Sequence, residues 1–141
     1  LTLIKVEDSK YINLENVANI NFVKDKIVFN MAYSVEKADN GRISDYFYTT
    51  KMNDYFRKTD YFNDNFVQIV GKDREVAINK NKISYIKKDS RSCKIIIGFT
   101  HDVNISNLDN LVTVAEHYYI KMDNNEDLDD KFSLLIQELN M

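Results

Sequence analysis

A chain of 141 residues and 16.6 kDa, 44% apolar and 29% charged, is long enough to bury a core of its own without covalent staples. A single Cys excludes an internal disulfide framework, the absence of Pro with only three Gly excludes a Pro-rich or Gly-rich linker protein, and 12% aromatic residues do not suit a disordered chain. The net charge of −3 conceals a polarity: residues 71–94 carry eight basic groups against three acidic, and residues 101–141 carry two against nine.

In chain order, Leu3-Ile4-Lys5-Val6 reads as a first strand. After a polar turn, Tyr11-Ile12-Asn13 leads to the apolar pair Val17 and Ile20, and then to the strand Lys26-Ile27-Val28-Phe29. The same order returns downstream: Phe66-Val67-Gln68-Ile69, then Ala77-Ile78-Asn79 with Ile83 and Ile86, then Lys94-Ile95-Ile96-Ile97. A recurrence of this kind reads as an internal duplication of a strand, turn, strand, turn, strand unit. Between the two units, Asp45-Tyr46-Phe47-Tyr48-Thr49 suits a strand with Phe47 inward and Tyr46 and Tyr48 outward, and Lys51 to Asn63 carries a partial helical stripe. The spacing of Leu108, Leu111, Val112, Ala115, Tyr119 and Met122 predicts a helix capped by Ser106, with Asp109 at its third position. Leu128, Phe132, Leu135 and Leu139 predict a last amphipathic helix, entered through the acidic stretch Asp123 to Asp130, whose carboxylates suit a helix N-terminus.

The expected fold class is therefore α+β, with two related β-rich halves, antiparallel hairpins plus a strand, each followed by a helix. An extra C-terminal amphipathic helix packs over the junction or onto a partner. The domain reading is one compact domain over 1–141, with a pseudo-repeat of 1–65 and 66–122, and 123–141 as acidic linker and helix. The unit of Ile-Asn, spacer, Ile-x-x-Ile, turn and apolar strand resembles hairpins of several small bacterial modules. These are pleckstrin-homology-like domains, the LytTR class of DNA-binding domain and a flagellar-regulator family. The resemblance covers little more than the stretches quoted and carries over no functional residue.

Catalytic and cofactor signals are sparse. His101 and His117, flanked by Asp102 and Glu116, form neither His-Glu-x-x-His nor part of a Cys-x-x-Cys site. Cys93 has cations beside it that would favour a thiolate, but a small hydrolase or metal enzyme would need Cys93, His101, Asp102 and His117 brought together. The run Asp123 to Asp129 lacks the Gly and the terminal Glu of an EF-hand, since Leu128 and Leu134 stand at those places. Three scattered Gly cannot build a phosphate loop. No catalytic residue, metal ligand or cofactor is assigned, and the expectation is a protein that is not an enzyme.

Two surfaces remain. Eight of the seventeen aromatic residues lie between Asp45 and Phe66. Exposed Tyr46, Tyr48, Tyr55 and Tyr61, together with Leu128, Phe132, Leu135 and Leu139, are the candidates for binding a protein partner or a second copy as a homodimer. The alternative is a nucleic-acid-binding regulatory module that uses Lys80, Lys82, Lys87, Lys88 and Arg91 to neutralise phosphates. A third use of the basic hairpin is to dock against the chain's own acidic tail. No uncharged apolar run approaches the ~20 residues that span a bilayer. The opening segment lacks a signal peptide's basic and apolar regions, so no membrane partner and a cytoplasmic location are expected. Asn at 17 positions, beside abundant Ile and Lys, fits an AT-rich bacterial or phage-like composition.

Overall fold

The computed structural model describes residues 1–36, 43–51, 53–105 and 110–140, with only backbone pairing considered over 33–36, 43–46, 100–105 and 110–117. The fold is α+β. Its elements run β1 (Leu3–Glu7), β2 (Lys10–Asn13), β3 (Val17–Phe22), β4 (Lys26–Glu36), β5 (Ile43–Thr50), α1 (Asp60–Asn65), β6 (Phe66–Val70), β7 (Glu75–Asn79), β8 (Ile83–Asp89), β9 (Lys94–Ile105), β10 (Asn110–Lys121) and α2 (Asn125–Leu139). Five strands precede each helix.

Local chemistry sets these boundaries. In β1 the alternation of buried Ile4 and Val6 with exposed Leu3, Lys5 and Glu7 is the period-two pattern of a strand with one covered face. The carboxamide of Asn13 accepts the amides of Thr2 and Glu15 at 3.1 and 3.2 Å, which ends β2 and opens a 3-10 turn over Leu14–Asn16. Asn79 does the same after β7, accepting the amide of Asn81 at 3.0 Å over a turn at Lys80–Lys82. An Asn side chain that bonds an amide two residues ahead mimics a backbone turn. Thr59 caps α1 through Phe62, and Asn124 caps α2 through Asp127.

One sheet runs in the order β10-β9-β4-β3-β7-β6, with β5 added to β4 and β8 added to β9, while β1 and β2 form a separate hairpin. Among the described residues two pairings join 1–65 to the rest of the chain: β3 with β7, antiparallel, and the end of β4 with the end of β9, parallel. The strands β3 and β7 are consequently buried on both faces. Val17, Ile20 and Ala77 enter a first core with Ile4, Ile12, Leu14, Phe29, Phe56 and Phe62, whereas Ala18, Val76 and Ile78 enter a second core with Ile95, Ile97, Ile120, Leu128 and Leu135. Phe56 is the hub of the first core. Its ring lies 5.3 Å from Phe29 and 5.2 Å from Phe62, both edge-on, a geometry that adds to simple area burial.

The structure corrects one predicted element. Residues 110–121 form no helix: they are β10, paired antiparallel with β9 at twelve successive positions from Asn110↔Ile105 to Lys121↔Lys94. Ser106 and Asp109, the expected cap, lie outside the described residues. The predicted stripe over Lys51 to Asn63 becomes a 3-10 turn at Tyr55–Lys58 followed by the short α1. The C-terminal helix forms as expected, as α2 directly after β10. No helix among the described residues is long and apolar enough to cross a membrane.

Candidate functional site

The hairpin β1–β2 folds over the first core and brings its turn toward the end of β5. Between them lies a groove of about 400 Å³ lined by Val6, Glu7, Asp25, Lys26, Tyr48, Thr49, Thr50 and Asn53. Tyr48 stands on its rim, 51% exposed, with the Lys26 ammonium 4.8 Å from the ring centre. Tyr55, 41% exposed, donates its hydroxyl to the Lys5 carbonyl at 2.6 Å and so ties the loop after β5 to the outer edge of β1. Thr49 is buried in the wall and accepts from the Asn53 carboxamide at 2.8 Å. Among the described residues β1 pairs only with β2, and β5 only with β4. Each therefore presents an unpaired edge, the feature by which sheets take on further strands.

The same place in the second half is shut. There the turn after β6 approaches the end of β10 so closely that the Lys72 amide donates to the Lys121 carbonyl at 2.7 Å. Gly71 permits this: a Cβ on it would stand 2.5 Å from Ile120 Cγ2 and 2.8 Å from the Lys121 carbonyl oxygen. The turn after β1 has Asp8 where the turn after β6 has Gly71. The Asp8 side chain is fully exposed to solvent.

Among the described residues β6 and β8 also pair on one side only, with β7 and β9, and α2 packs against both. Along β8 runs α2, with Lys88 Nζ 2.8 Å from Asp129 and 5.7 Å from the Phe132 ring centre, and with Leu139 beside Ile83 at the far end. The other flank of α2 meets Val67, Gln68 and Ile69 of β6. Leu128 and Leu135 are buried, and Phe132 and Leu139 are half-buried against the same core. These four residues thus face the chain's own interior rather than a free surface.

Of the tyrosines singled out, Tyr48 lines the groove, Tyr55 fastens the loop beside it to β1, and the Tyr46 side chain lies outside the described residues. Tyr61 is half-buried in a polar network: its hydroxyl accepts from the carboxamides of Asn79 and Asn81 at 3.2 and 3.3 Å, and Asn79 also reaches the Val17 carbonyl at 2.9 Å. It fastens α1 to the second half.

The cations are dispersed along β8 and its flanking turns. Lys80 and Lys82 sit in the 3-10 turn before the strand, and Lys87, Lys88 and Arg91 sit at its other end. Lys88 is taken by Asp129, and Lys94 lies 4.2 Å from the Tyr119 ring centre. In the β8–β9 turn, Asp89 accepts the amides of Arg91 and Ser92. The Ser92 hydrogen bonds, opposed in part by desolvation and helped further by the Arg91 amide and Lys87, hold its carboxyl below the ordinary Asp value.

Cys93 closes that turn as a free, half-buried thiol with φ of 55°, and its carbonyl accepts the Met122 amide at 2.9 Å. His101 pairs opposite Val114 and His117 opposite Gly98, so the two are not cross-strand partners. Among the described residues no group of three or more acidic, His or Cys side chains is placed to hold a metal ion. The acidic stretch before α2 supplies its cap and first turn.

Of the groove residues, sequence reasoning singled out Tyr48 but missed Val6, Glu7, Asp25 and Lys26. Comparisons with protein-family models, with curated proteins and with solved structures return no match.

Proposed function

We propose that the chain is a non-enzymatic binding or regulatory protein that takes an extended segment of a partner protein into the groove between β1 and β5. The carrying observation is that two strands with open edges flank this groove, while the matching seam in the second half is closed by the Lys72–Lys121 hydrogen bond. An extended segment satisfies such an edge through its main chain, and neighbouring side chains supply selectivity. Tyr48 and Tyr55 are the anchors, since rigid aromatic residues bury large area with little loss of rotamer freedom.

The lining favours a protein over nucleic acid. Glu7 and Asp25 face the groove beside Lys26, and Lys5 and Lys10 are paired with Asp8 and Glu7. Phosphates would be repelled by these carboxylates, whereas a peptide of mixed charge can set its cations against them. A second copy of this chain is one partner of the right chemistry, and in that case the protein is a homodimer.

The test is selection of peptides from a random display library against the folded chain, followed by affinity measurement on the double variant Tyr48→Ser, Tyr55→Ser. Loss of one well-packed aromatic anchor weakens binding at least tenfold, about 1.4 kcal/mol. Equal affinity for the variant and the parent would refute the reading, as would a library that yields only binders of the β8 face.

A further inference from the structure

The outer face of the strands β8, β9 and β10 shares no residue with the groove. Residues directly opposite one another on antiparallel strands stand on the same side of the sheet. Ile95, Ile97 and Ile120 enter the second core, so Lys94, Ile96 and Gly98 of β9, Tyr119 and Lys121 of β10, and Tyr85 and Lys87 of β8 share the opposite side.

The first feature of that side is a tyrosine laid on bare backbone. Gly98 lies opposite Tyr85, and a Cβ on Gly98 would stand 1.9 to 2.4 Å from three atoms of the Tyr85 ring, so the ring takes the place of a side chain. Although seated on the strand, Tyr85 is 46% exposed and offers π surface to solvent. On the other flank of β9, Tyr119 is exposed as well, and half-buried Ile96 stands on the strand between the two.

The second feature is positive charge without a partner. Lys94 and Lys121 stand directly opposite each other, a like-charge pairing that opposes sheet formation. Lys87 follows on β8, two positions along the ladder. None of the three makes an ion pair among the described residues. Asp89, opposite Lys94 on β8, gives its carboxylate to the amides of Arg91 and Ser92. The acidic residues of the other two strands, Asp102 and Glu116, stand eight residues from Lys94 and five from Lys121, roughly 26 and 17 Å along the strands. Lys94 Nζ and Arg74 Cζ lie 4.2 and 5.7 Å from the Tyr119 ring centre, so cations gather round that tyrosine.

We infer that this face binds single-stranded nucleic acid, with a base stacked on Tyr85 and backbone phosphates on Lys87, Lys94 and Lys121. A single strand carries a row of anions and planar rings open to stacking, which is what cations beside an exposed aromatic ring recognise. A duplex hides its ring faces in its own stack. An acidic polypeptide or an anionic lipid headgroup brings charge with no ring for Tyr85. The span also fits: Gly98, under the Tyr85 ring, is four positions from Lys94, roughly 13 Å, or about four nucleotides at the 3.4 Å spacing of a stacked strand.

The experiment is fluorescence anisotropy of labelled oligothymidylate and oligouridylate, each about a dozen nucleotides long, titrated with the native chain. Saturable binding of at least one strand is expected below about 100 µM chain at about 50 mM salt, and three phosphate contacts imply a roughly twentyfold loss of affinity by about 200 mM. Tyr85→Ala should weaken binding at least about fivefold, with Tyr85→Phe close to the parent. Gly98→Ala fills the ring's seat and should act in the same direction. Duplex DNA of the same length and poly-L-glutamate should each compete at least about fivefold less well than the single strand. Absence of binding by both strands, affinity indifferent to salt, unchanged affinity in a folded Tyr85→Ala or Gly98→Ala chain, or equal competition by either control would overturn the inference.

Discussion

Substitution of Gly71 by Ala tests the closure that distinguishes the two halves. The added Cβ would sit 2.5 Å from Ile120 Cγ2 and 2.8 Å from the Lys121 carbonyl oxygen, where ordinary contact begins near 3.4 Å. Neither neighbour can yield cheaply, because Ile120 is fully buried and the Lys121 carbonyl holds the Lys72 amide. Overpacking of this kind costs about 1–3 kcal/mol, and a weakened Lys72–Lys121 hydrogen bond adds about 1 kcal/mol. A total of about 2–4 kcal/mol corresponds to a fall in Tm of roughly 6–16 °C for a chain of this size. The assay is urea and thermal unfolding followed by near-ultraviolet circular dichroism. Gly98→Ala is the control: the three atoms nearest the new methyl all belong to the Tyr85 ring, a side chain that is 46% exposed and can turn toward solvent. It should cost less than about 1 kcal/mol. A Gly71→Ala chain as stable as its parent, or a Gly98→Ala chain less stable than Gly71→Ala, would refute the argument.

Other outcomes follow from the β8–β9 turn. Cys93, at φ of 55°, pays a left-handed penalty that Gly would not, so Cys93→Gly should unfold within about 1 kcal/mol of the parent, while Cys93→Val should be less stable than Cys93→Gly by about 1–2 kcal/mol. Comparable urea midpoints for the two variants would contradict this. The lowered pKa of Asp89 means that the turn's contribution is complete above the ordinary Asp range and is lost as pH falls through the depressed folded value. An Asp89→Asn chain should therefore lose less stability than the parent between pH 5 and pH 2, and equal losses in unfolding curves across that window would argue against the assignment.

The parts of the fold written in local chemistry were readable. Leu128, Phe132, Leu135 and Leu139 keep a helical period, and Asn124 with the acids behind it makes a start signal, so α2 could be placed without tertiary information. The Ile-Asn pairs marked two chain reversals, because Asn13 and Asn79 each bond an amide two residues on. Over 106–122 the apolar spacing fitted a helix, yet Val112, Thr113, Val114, Tyr118, Tyr119 and Ile120 are residues that favour strands. A twelve-position ladder with β9 decides the matter, and such long-range pairing has no period of its own in the sequence.

The aromatic segment was half legible. Phe56 and Phe62 turned inward to the first core, while Tyr48 and Tyr55 reached the surface, and adjacent aromatic residues differ in a way that composition does not encode. The groove depends on how near the β1–β2 turn comes to the end of β5, a tertiary distance that no local pattern encodes. The face of β8, β9 and β10 was hidden because Tyr85, Gly98 and Tyr119 come together only through the pairings of β8 and β10 with β9.

The most direct measurement is a backbone 1H–15N shift map of the chain with a library-selected peptide. The account predicts shifts confined to Val6, Glu7 and Tyr48 to Thr50, with the amides on the open edges of β1 and β5 protected from hydrogen exchange. Shifts centred instead on Lys80 to Arg91, or on α2, would contradict it.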